Sequence, residues 1–423
     1  MRKFIWKGII RDKNRSLLPV IVVAIGVFVV IFFKGFSGGM INNMLDISAR
    51  HQTGHLSITT RAYEENEGQM PLDLALLDVD LLIDELKTDF PHIDWNSRIS
   101  FGGLLDIPDE NGETKAQGPI MASAYDLLSS NSRETQRLNL DKAIIEGNTI
   151  SQPMEILVSA DFADKFNVHP NDTVTFFGST MYGSMSFTNF TIAGILRFGM
   201  SMLDRGAIII DLADARQLLD MDNAVNEILG FLPNDEYDDD AAEEIKTIFN
   251  DKYAGVDDEY APIMRQLADR NSMRETMNYY NSVTKILMML LVLALSIVLW
   301  NAGILGGIRR YNEFGIRLAL GESKGHIYGS LITEALFIGI IGSAIGTALG
   351  LCLSLYLKNY GIDYSNMIDN MNLMIDPVIR SEITPDMYYF GFSPGIISTF
   401  IGAALAGRAI YKRNTAMLFK ELD

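Results

Sequence analysis

Four long apolar runs constrain the fold of this chain more than any other feature of its 423 residues. They occupy residues 16–33, 286–308, 335–357 and 387–407, and none of them contains a charged side chain. A helix needs about 20 mostly apolar residues to cross the hydrocarbon core of a bilayer, and a globular strand is much shorter. The sequence therefore predicts an α-helical membrane protein with four transmembrane helices.

The charges beside these runs predict how the chain crosses the membrane. Lys and Arg cluster before the first run, between the second and third, and after the fourth, whereas residues 358–386 are acidic. Basic loops stay in the cytoplasm, so both termini are predicted to be cytoplasmic. The first run is long for a signal peptide and no A-x-A-like cleavage site follows it, so we expect it to remain as an anchor. The predicted segments are a cytoplasmic amphipathic segment at 1–15, transmembrane helices at 16–36, 282–308, 327–357 and 387–407, an outside domain at 37–281, a cytoplasmic loop at 309–326, an outside loop at 358–386 and a cytoplasmic tail at 408–423.

Composition and motifs exclude several classes of function. A net charge of −18 argues against a nucleic-acid partner, because phosphate binding needs clustered Lys and Arg. The sequence contains no GxxxxGK[ST] phosphate loop and no HExxH or CxxC motif, so we predict no catalytic, cofactor or metal site in this chain. The apolar runs carry no ionisable residue near their centres, which argues against an ion channel or a secondary transporter.

The stretch between the first and second runs predicts a large α+β domain. Alternating apolar residues and turn signals predict strands at 55–60, 99–107, 115–124, 155–158, 173–177, 187–196 and 207–210, and helices at 160–166 and 212–219. The acidic run Asp235–Glu244 is either a calcium site or the solvated start of a helix, and the missing glycine and spacing of an EF-hand loop favour the helix. Residues 258–281 are predicted as one helix that continues into the second transmembrane helix.

Small residues predict where the membrane helices contact or bend. Gly342, Gly346 and Gly350 form a GxxxGxxxG pattern, which allows two helices to approach closely in lipid. The glycine-rich stretch 33–39 predicts a bend where the first helix leaves the membrane. Pro394 and Gly395 predict a bend in the fourth helix.

The loop between the second and third runs is more amphipathic than a simple connector requires. Its sequence RRYNEFGIRLALGESK begins at residue 309 and combines four basic residues with Phe314, Ile316, Leu318 and Leu320, and Gly321 stands near its end. We predict a short helix that ends at Gly321 in a left-handed cap. Such a hairpin either docks into a groove on a partner or lies at the membrane surface as a connector.

This loop and the run that follows it, LITEALFIGIIGSAIG, resemble the signature of the FtsX-like or MacB-like ABC permeases, the type VII ABC systems. The order of segments in the outside domain is similar too, with EILVSADFADKFNVHPNDTVTF before FTIAGILRFG and AIIIDLADARQLL. Within that family, ARHQTGHLSI at 49–58 is similar to the lipoprotein-releasing, Lol-type branch. The matching positions are Arg310, Glu313, Phe314, Gly315, Arg317, Ala319, Gly321, Glu334, Gly342 and Gly346.

The resemblance implies a permease of the bacterial inner membrane with a periplasmic domain, and not an enzyme. In this family the loop is the coupling helix that contacts a separate ABC ATPase, which holds the ATP and Mg²⁺. The implied partners are that ATPase, a second permease copy or homologue, a lipoprotein and a periplasmic carrier. Two alternatives stay open, an efflux permease with a membrane-fusion adaptor and a device that transmits ATPase motion to a cell-wall hydrolase. The coupling residues implied are Arg310, Glu313, Phe314, Gly315, Arg317, Ala319, Leu320 and Gly321, and the substrate-cavity candidates are Met40, Met44, Met288 and Met289.

Overall fold

The computed structural model describes residues 13–109, 112–199, 201–270, 272–309, 316–363, 374 and 378–411. The chain forms two compact units. One unit contains the membrane helices and is called the helical unit below. The other, called the sheet unit, comprises Asn43–Glu275 and Asp363–Val378.

Four helices of the described chain are long and apolar enough to cross a membrane, which confirms the prediction. The first membrane helix is Lys13–Ser48, the second is Met273–Arg309 and the third is Lys324–Tyr360. The fourth consists of Met387–Phe390 and Phe392–Tyr411. Between the third and fourth, the two-residue strands Ile362–Asp363 and Val378–Ile379 form a small separate sheet.

The predicted bend at residues 33–39 is wrong, because the first membrane helix continues unbroken to Ser48. The glycines there let another segment of the helical unit approach closely. The carbonyl of Gly35 accepts a hydrogen bond of 2.9 Å from the Glu382 amide. A Cβ on Gly39 would lie only 1.8 Å from the Arg380 carbonyl oxygen. Close backbone approach, and not a bend, explains these glycines.

The fourth membrane helix is interrupted at Gly391, three residues before the predicted bend at Pro394. Pro394 lies in the first turn of the helix Phe392–Tyr411. A proline is tolerated there because the first amides of a helix have no partner within the helix.

The sheet unit is built on one ten-stranded mixed sheet. Its strand order is β10-β1-β9-β2-β3-β8-β5-β7-β4, with β6 paired to β2 and β7. The strands are β1 Leu56–Thr60, β2 Asp94–Pro108, β3 Thr114–Tyr125, β4 Ile144–Gly147, β5 Glu155–Ser159, β6 Thr173–Ser179, β7 Met185–Leu196, β8 Ala207–Asp211, β9 Glu227–Phe231 and β10 Pro262–Gln266. The α-helices of this unit are Arg61–Asn66, Val79–Asp89, Glu134–Arg137, Leu140–Ala143, Ala160–Phe166, Ser201–Asp204, Leu212–Leu219 and Asp239–Tyr253.

All the strands and helices predicted between residues 55 and 219 are confirmed. The acidic run Asp235–Glu244 also forms the start of a helix, as predicted. The Asp238 carboxylate accepts hydrogen bonds from the amides of Asp240 and Ala241, each at 3.0 Å, and so caps the helix Asp239–Tyr253.

The predicted helix at 258–281 is wrong over its first half. Pro262–Gln266 is instead β10, which pairs antiparallel with β1 at the edge of the sheet. The helix begins only at Met273. Pro262 fits the first position of an edge strand, and Met264 and Gln266 become fully buried there. Pairing with a strand far away in the sequence overrides local helix propensity.

The two faces of the sheet differ in chemistry. Ile99 and Phe101 of β2 pack into the main apolar core, where the Phe101 ring meets Phe176 edge-on at 5.5 Å. Alternate residues of a strand point to opposite faces, so Arg98 and Ser100 face the other way. That second face contains a cavity lined by charged, polar and apolar residues, as well as a smaller apolar cluster.

Candidate functional site

The candidate site is the loop between the second and third membrane helices, which the structure describes from Ile316 onwards. Residues 316–319 are helical, and Gly321 follows with a φ of +89°. The Glu322 amide donates to the Arg317 carbonyl and the Gly321 amide to the Leu318 carbonyl, each at 3.0 Å. These two hydrogen bonds form a Schellman motif, so the predicted left-handed cap at Gly321 is confirmed.

A bidentate ion pair closes this cap. Arg317 Nε lies 2.6 Å from Glu322 Oε2, and Arg317 Nη2 lies 2.8 Å from Glu322 Oε1. These are the two positions that an apolar contact usually joins in a Schellman motif. His326 Nε2 adds a contact of 3.5 Å to the same carboxylate. The ion pair therefore fixes the shape of the turn through planar, two-point hydrogen bonding.

Two apolar side chains project from this fixed turn. Ile316 is 62% exposed and Leu320 is 82% exposed. They are four residues apart, so they lie on one side of the helical turn. An exposed apolar pair on a turn fixed by these hydrogen bonds is suited to filling a pocket on a partner.

The loop is joined directly to the third membrane helix. Ser323 caps that helix, because its hydroxyl accepts a 3.3 Å hydrogen bond from the His326 amide. Of the other predicted coupling residues, Ala319 is exposed on the helical turn, and Arg310, Glu313, Phe314 and Gly315 lie outside the described residues.

The glycine pattern of the third helix faces the first helix. A Cβ on Gly342 would lie 2.7 Å from Val23 Cβ, and one on Gly346 would lie 2.5 Å from the Ala24 carbonyl oxygen. One on Gly350 would lie 2.7 Å from Ile31 Cβ. Larger residues at these positions would separate the two helices.

A second close contact, between the third and fourth helices, was missed from the sequence. A Cβ on Gly391 would lie 2.3 Å from the Thr347 hydroxyl, and one on Gly395 would lie 2.0 Å from the Ser343 hydroxyl. Gly391, Gly395 and Thr399 repeat every four residues, so the small-residue pattern of the fourth helix was the available signal.

The first and fourth helices are also joined by a charge pair. Lys34 forms an ion pair with Asp386, and its ammonium lies 4.2 Å from the centre of the Phe390 ring. The Thr384 hydroxyl donates to the same carboxylate. These contacts hold the C-terminal half of the first helix against the start of the fourth.

The four methionines predicted to contact substrate differ in exposure. Met40 and Met289 are exposed, whereas Met44 and Met288 are half-buried. A role in holding cargo stays a prediction for all four. Within the part of the chain that the structure describes, no three His, Cys, Asp or Glu side chains are grouped to hold a metal ion.

Two family models match the chain. The MacB-like periplasmic core domain matches residues 16–248, more than half of the chain, and the FtsX-like permease C-terminal domain matches residues 285–415. The chain therefore belongs to the FtsX- and MacB-type permeases, as its sequence resemblance predicts. These permeases are transport subunits of ABC transporters and work with an ABC ATPase subunit.

Among solved structures, the periplasmic region of MacB from Actinobacillus actinomycetemcomitans is similar to part of the chain, with a TM-score of 0.34 and 9% sequence identity. The similarity covers 53% of this chain and 92% of that one. No curated protein matches the chain.

Proposed function

We propose that the loop at 309–326 is the element through which a separate ABC ATPase drives this permease. The exposed pair Ile316 and Leu320 carries the proposal, because nothing in crossing a membrane requires it. The bidentate Arg317–Glu322 pair keeps the loop stiff enough to transmit force. The sequence resemblance to the family supports the same coupling role for Arg310, Glu313, Phe314 and Gly315.

Force on the loop would pass into the helices by short connections. Ser323 links the loop to the first turn of the third helix. The third helix contacts the first through Gly342, Gly346 and Gly350 without intervening side chains. Two permease copies, or one copy and a homologue, would bind two ATPases that hold ATP and Mg²⁺. Closure of the ATPases would then move the first helices through the third.

We place the protein in the bacterial inner membrane with both termini in the cytoplasm. The basic residues before the first helix and after the fourth support this orientation. The sheet unit would then lie in the periplasm, as the name of its matching family model implies for other members.

We infer that the cargo is a lipoprotein, taken from the outer leaflet of the inner membrane and released to a periplasmic carrier. The similarity of residues 49–58 to the Lol-type branch supports this cargo. Removing acyl chains from lipid costs about 0.8 kcal/mol per CH₂ group, which accounts for the need for ATP. Met40 and Met289 would contact the acyl chains, since Met adapts to irregular apolar shapes.

The test is ATP hydrolysis by the permease and its ATPase in lipid nanodiscs, with and without a triacylated lipoprotein. We expect the lipoprotein to stimulate hydrolysis and to leave the nanodisc on a soluble carrier. A complex that hydrolyses ATP but ignores the lipoprotein would contradict this cargo. The remaining candidates would then be efflux of a toxin, peptide or drug through an adaptor, and control of a periplasmic cell-wall hydrolase.

A further inference from the structure

A cavity of about 460 Å³ lies in the sheet unit, on the face of the sheet opposite the main core. That volume is within the range of small-molecule sites. Its floor includes Arg98 and Ser100 of β2, Ser123 and Tyr125 of β3 and Glu227 of β9. The proposed transport cycle does not use this cavity.

Two of the segments that line the cavity have unusual backbone conformations. Residues Ala49–Thr53 form a π-helical turn, and His51, Gln52 and Thr53 line the cavity. Met70 also lines the cavity and has a left-handed φ of +48°, a conformation that glycine adopts more readily than methionine. Single π-helical turns and left-handed residues other than glycine are costly and are concentrated at functional sites.

The charges around the cavity are divided between two sides. Arg98 and Glu227 lie directly opposite each other on β2 and β9. Neighbours of opposite charge normally pair across strands. Among the ion pairs of the described chain, however, Arg98 approaches Glu134 at 3.9 Å, and Glu227 pairs with Arg270 at 3.0 Å. Arg98 and Glu227 thus form ion pairs with other residues and not with each other.

The positive side is built around Arg98, which is only 3% exposed. Its Nη1 donates to the Gln52 carbonyl at 3.3 Å and its Nη2 to the Arg50 carbonyl at 3.2 Å. Its guanidinium lies 4.5 Å from the centre of the Tyr125 ring. These contacts, together with Glu134 at 3.9 Å, hold the Arg98 guanidinium in place in the wall that also contains His51.

The negative side is built around Glu67 and Glu227, which share Arg270 as a partner. Two carboxylates and one guanidinium leave an excess of negative charge. Burial, together with these two carboxylates, raises the pKa of Tyr63, which lines the same side. The Tyr63 hydroxyl therefore stays protonated as a neutral donor.

The remaining lining is apolar and adaptable. It includes Met70, Met121, Met374, Phe198 and Leu203. Methionine fills irregular spaces and suits flexible apolar groups. The cavity thus combines a positive side, a negative side and an apolar wall.

We propose that this cavity binds a small zwitterion, and that the apolar wall contacts whatever apolar group the zwitterion carries. The anionic group would lie towards Arg98 and His51, and the ammonium group towards Glu67 and Glu227. A short peptide with free termini and the ethanolamine phosphate headgroup of a lipid share this chemistry. The inference does not depend on the cargo proposed above.

The test measures binding to the full chain in nanodiscs by isothermal titration calorimetry. The probes are the dipeptide Leu-Phe, its acetylated and amidated form without charges, and glycerophosphoethanolamine. We expect at least one zwitterion to bind, and the blocked dipeptide to bind at least about tenfold more weakly than Leu-Phe if the site takes peptides. Binding of glycerophosphoethanolamine alone would identify the headgroup as the source. No binding by either zwitterion would overturn the proposal, and so would binding of the blocked dipeptide as tight as that of Leu-Phe.

Two variants locate the site. Glu67→Gln removes one carboxylate from a side chain that is partly exposed, and Met121→Trp fills the cavity. Both should weaken binding by about tenfold or more. Glu64→Gln is the matched control, because Glu64 lies three residues before Glu67, in the helix Arg61–Asn66, and pairs with Arg265 outside the cavity lining. Unchanged binding in both Glu67→Gln and Met121→Trp would place the zwitterion elsewhere and refute the assignment.

Discussion

Leu320 is the most exposed large apolar side chain on the described part of the loop. It stands one residue before Gly321, so the left-handed cap fixes the direction in which it projects. Its burial on a partner would contribute roughly 1.5–3 kcal/mol, which is enough to matter for docking.

Leu320→Glu should therefore uncouple the permease from its ATPase while leaving it folded in the membrane. The charge cannot enter an apolar pocket without losing its hydration. Copurification of the ATPase and its stimulated hydrolysis are the measurements, and we expect both to fall at least about tenfold. Leu320→Met is the matched control, since it keeps the volume and the apolar character. Wild-type copurification with Leu320→Glu would contradict the coupling role.

His55 is a buried histidine whose side chain stays neutral in the folded sheet unit. Its Nδ1 accepts a 2.9 Å hydrogen bond from the Leu232 amide, and its ring packs edge-on against Phe231. Burial, aided by Arg137 and Arg50 and opposed by Asp235, lowers the pKa of His55 to about 4. Protonation would break the hydrogen bond to Leu232 as well as bury a charge.

This pKa predicts a loss of stability in mild acid. The unfolded chain takes up a proton at His55 below about pH 6.5, while the folded chain resists until about pH 4. Protonation of His55 in the unfolded chain should therefore lower the free energy of unfolding by about 3 kcal/mol as the pH falls from about 6.5 to about 4. Thermal unfolding of the reconstituted protein between pH 7 and pH 4 is the measurement.

His55→Asn should remove the His55 share of this pH dependence and leave the share of His51, whose pKa burial lowers to about 3. His169→Asn, at an exposed position, should leave the pH dependence unchanged. Equal slopes for the wild type and His55→Asn would show that other groups cause any acid sensitivity.

At the scale of elements, Gly346 lies where the third and first helices are closest. The Ala24 carbonyl occupies the space that a side chain would need, and backbone cannot move aside as a flexible side chain can. Small residues drive helix association in lipid because they allow such approach.

Gly346→Leu should separate the first and third helices and destabilise the helical unit by roughly 1–3 kcal/mol or more. Gly329→Leu on the same helix is the matched control, because no atom lies within 4 Å of a Cβ at that position. The unfolding temperature in nanodiscs and ATPase stimulation are the two readouts. Indistinguishable behaviour of the two variants would rule out the close contact.

An element could be predicted where its own residues carry the signal for it. The β2–β3 hairpin follows from alternation on both sides of Asn111-Gly112, and the Schellman cap from Gly321. β10 was missed, because Met264, Arg265 and Gln266 favour a helix and the segment becomes a strand by pairing with β1, although Pro262 was a signal against a continuous helix. The cavity depends on the same long-range sheet, since β2 and β9 bring Arg98 and Glu227 to neighbouring positions in its lining. The hydroxyl contacts of Ser343 and Thr347 depend on which helices are neighbours.

At the scale of the molecule, the proposed orientation places the sheet unit and the loop on opposite sides of the membrane. Cys352 is the only cysteine of the chain, so Cys352→Ser gives a background for labelling. Tyr182→Cys then introduces a thiol at an exposed position of the sheet unit, and Gly325→Cys one beside the loop.

A membrane-impermeant maleimide should label the Tyr182→Cys variant in cells whose outer membrane alone is opened. The Gly325→Cys variant should react only after the inner membrane is permeabilised. The reverse pattern would invert the proposed orientation, and labelling of both variants in intact inner membranes would contradict a crossing between them.

The pairing of β1 with β10 also has a consequence for biosynthesis. These are the first and last strands of the large sheet along the chain, and all five residues of β1 are buried between β10 and β9. A nascent chain that has emerged only as far as β9 presents β1 as an open edge, and such edges recruit other chains. The sheet is completed only when the segment just before the second membrane helix has been translated. Until then the growing domain exposes an unpaired strand edge, which is the kind of surface that chaperones cover and that favours aggregation.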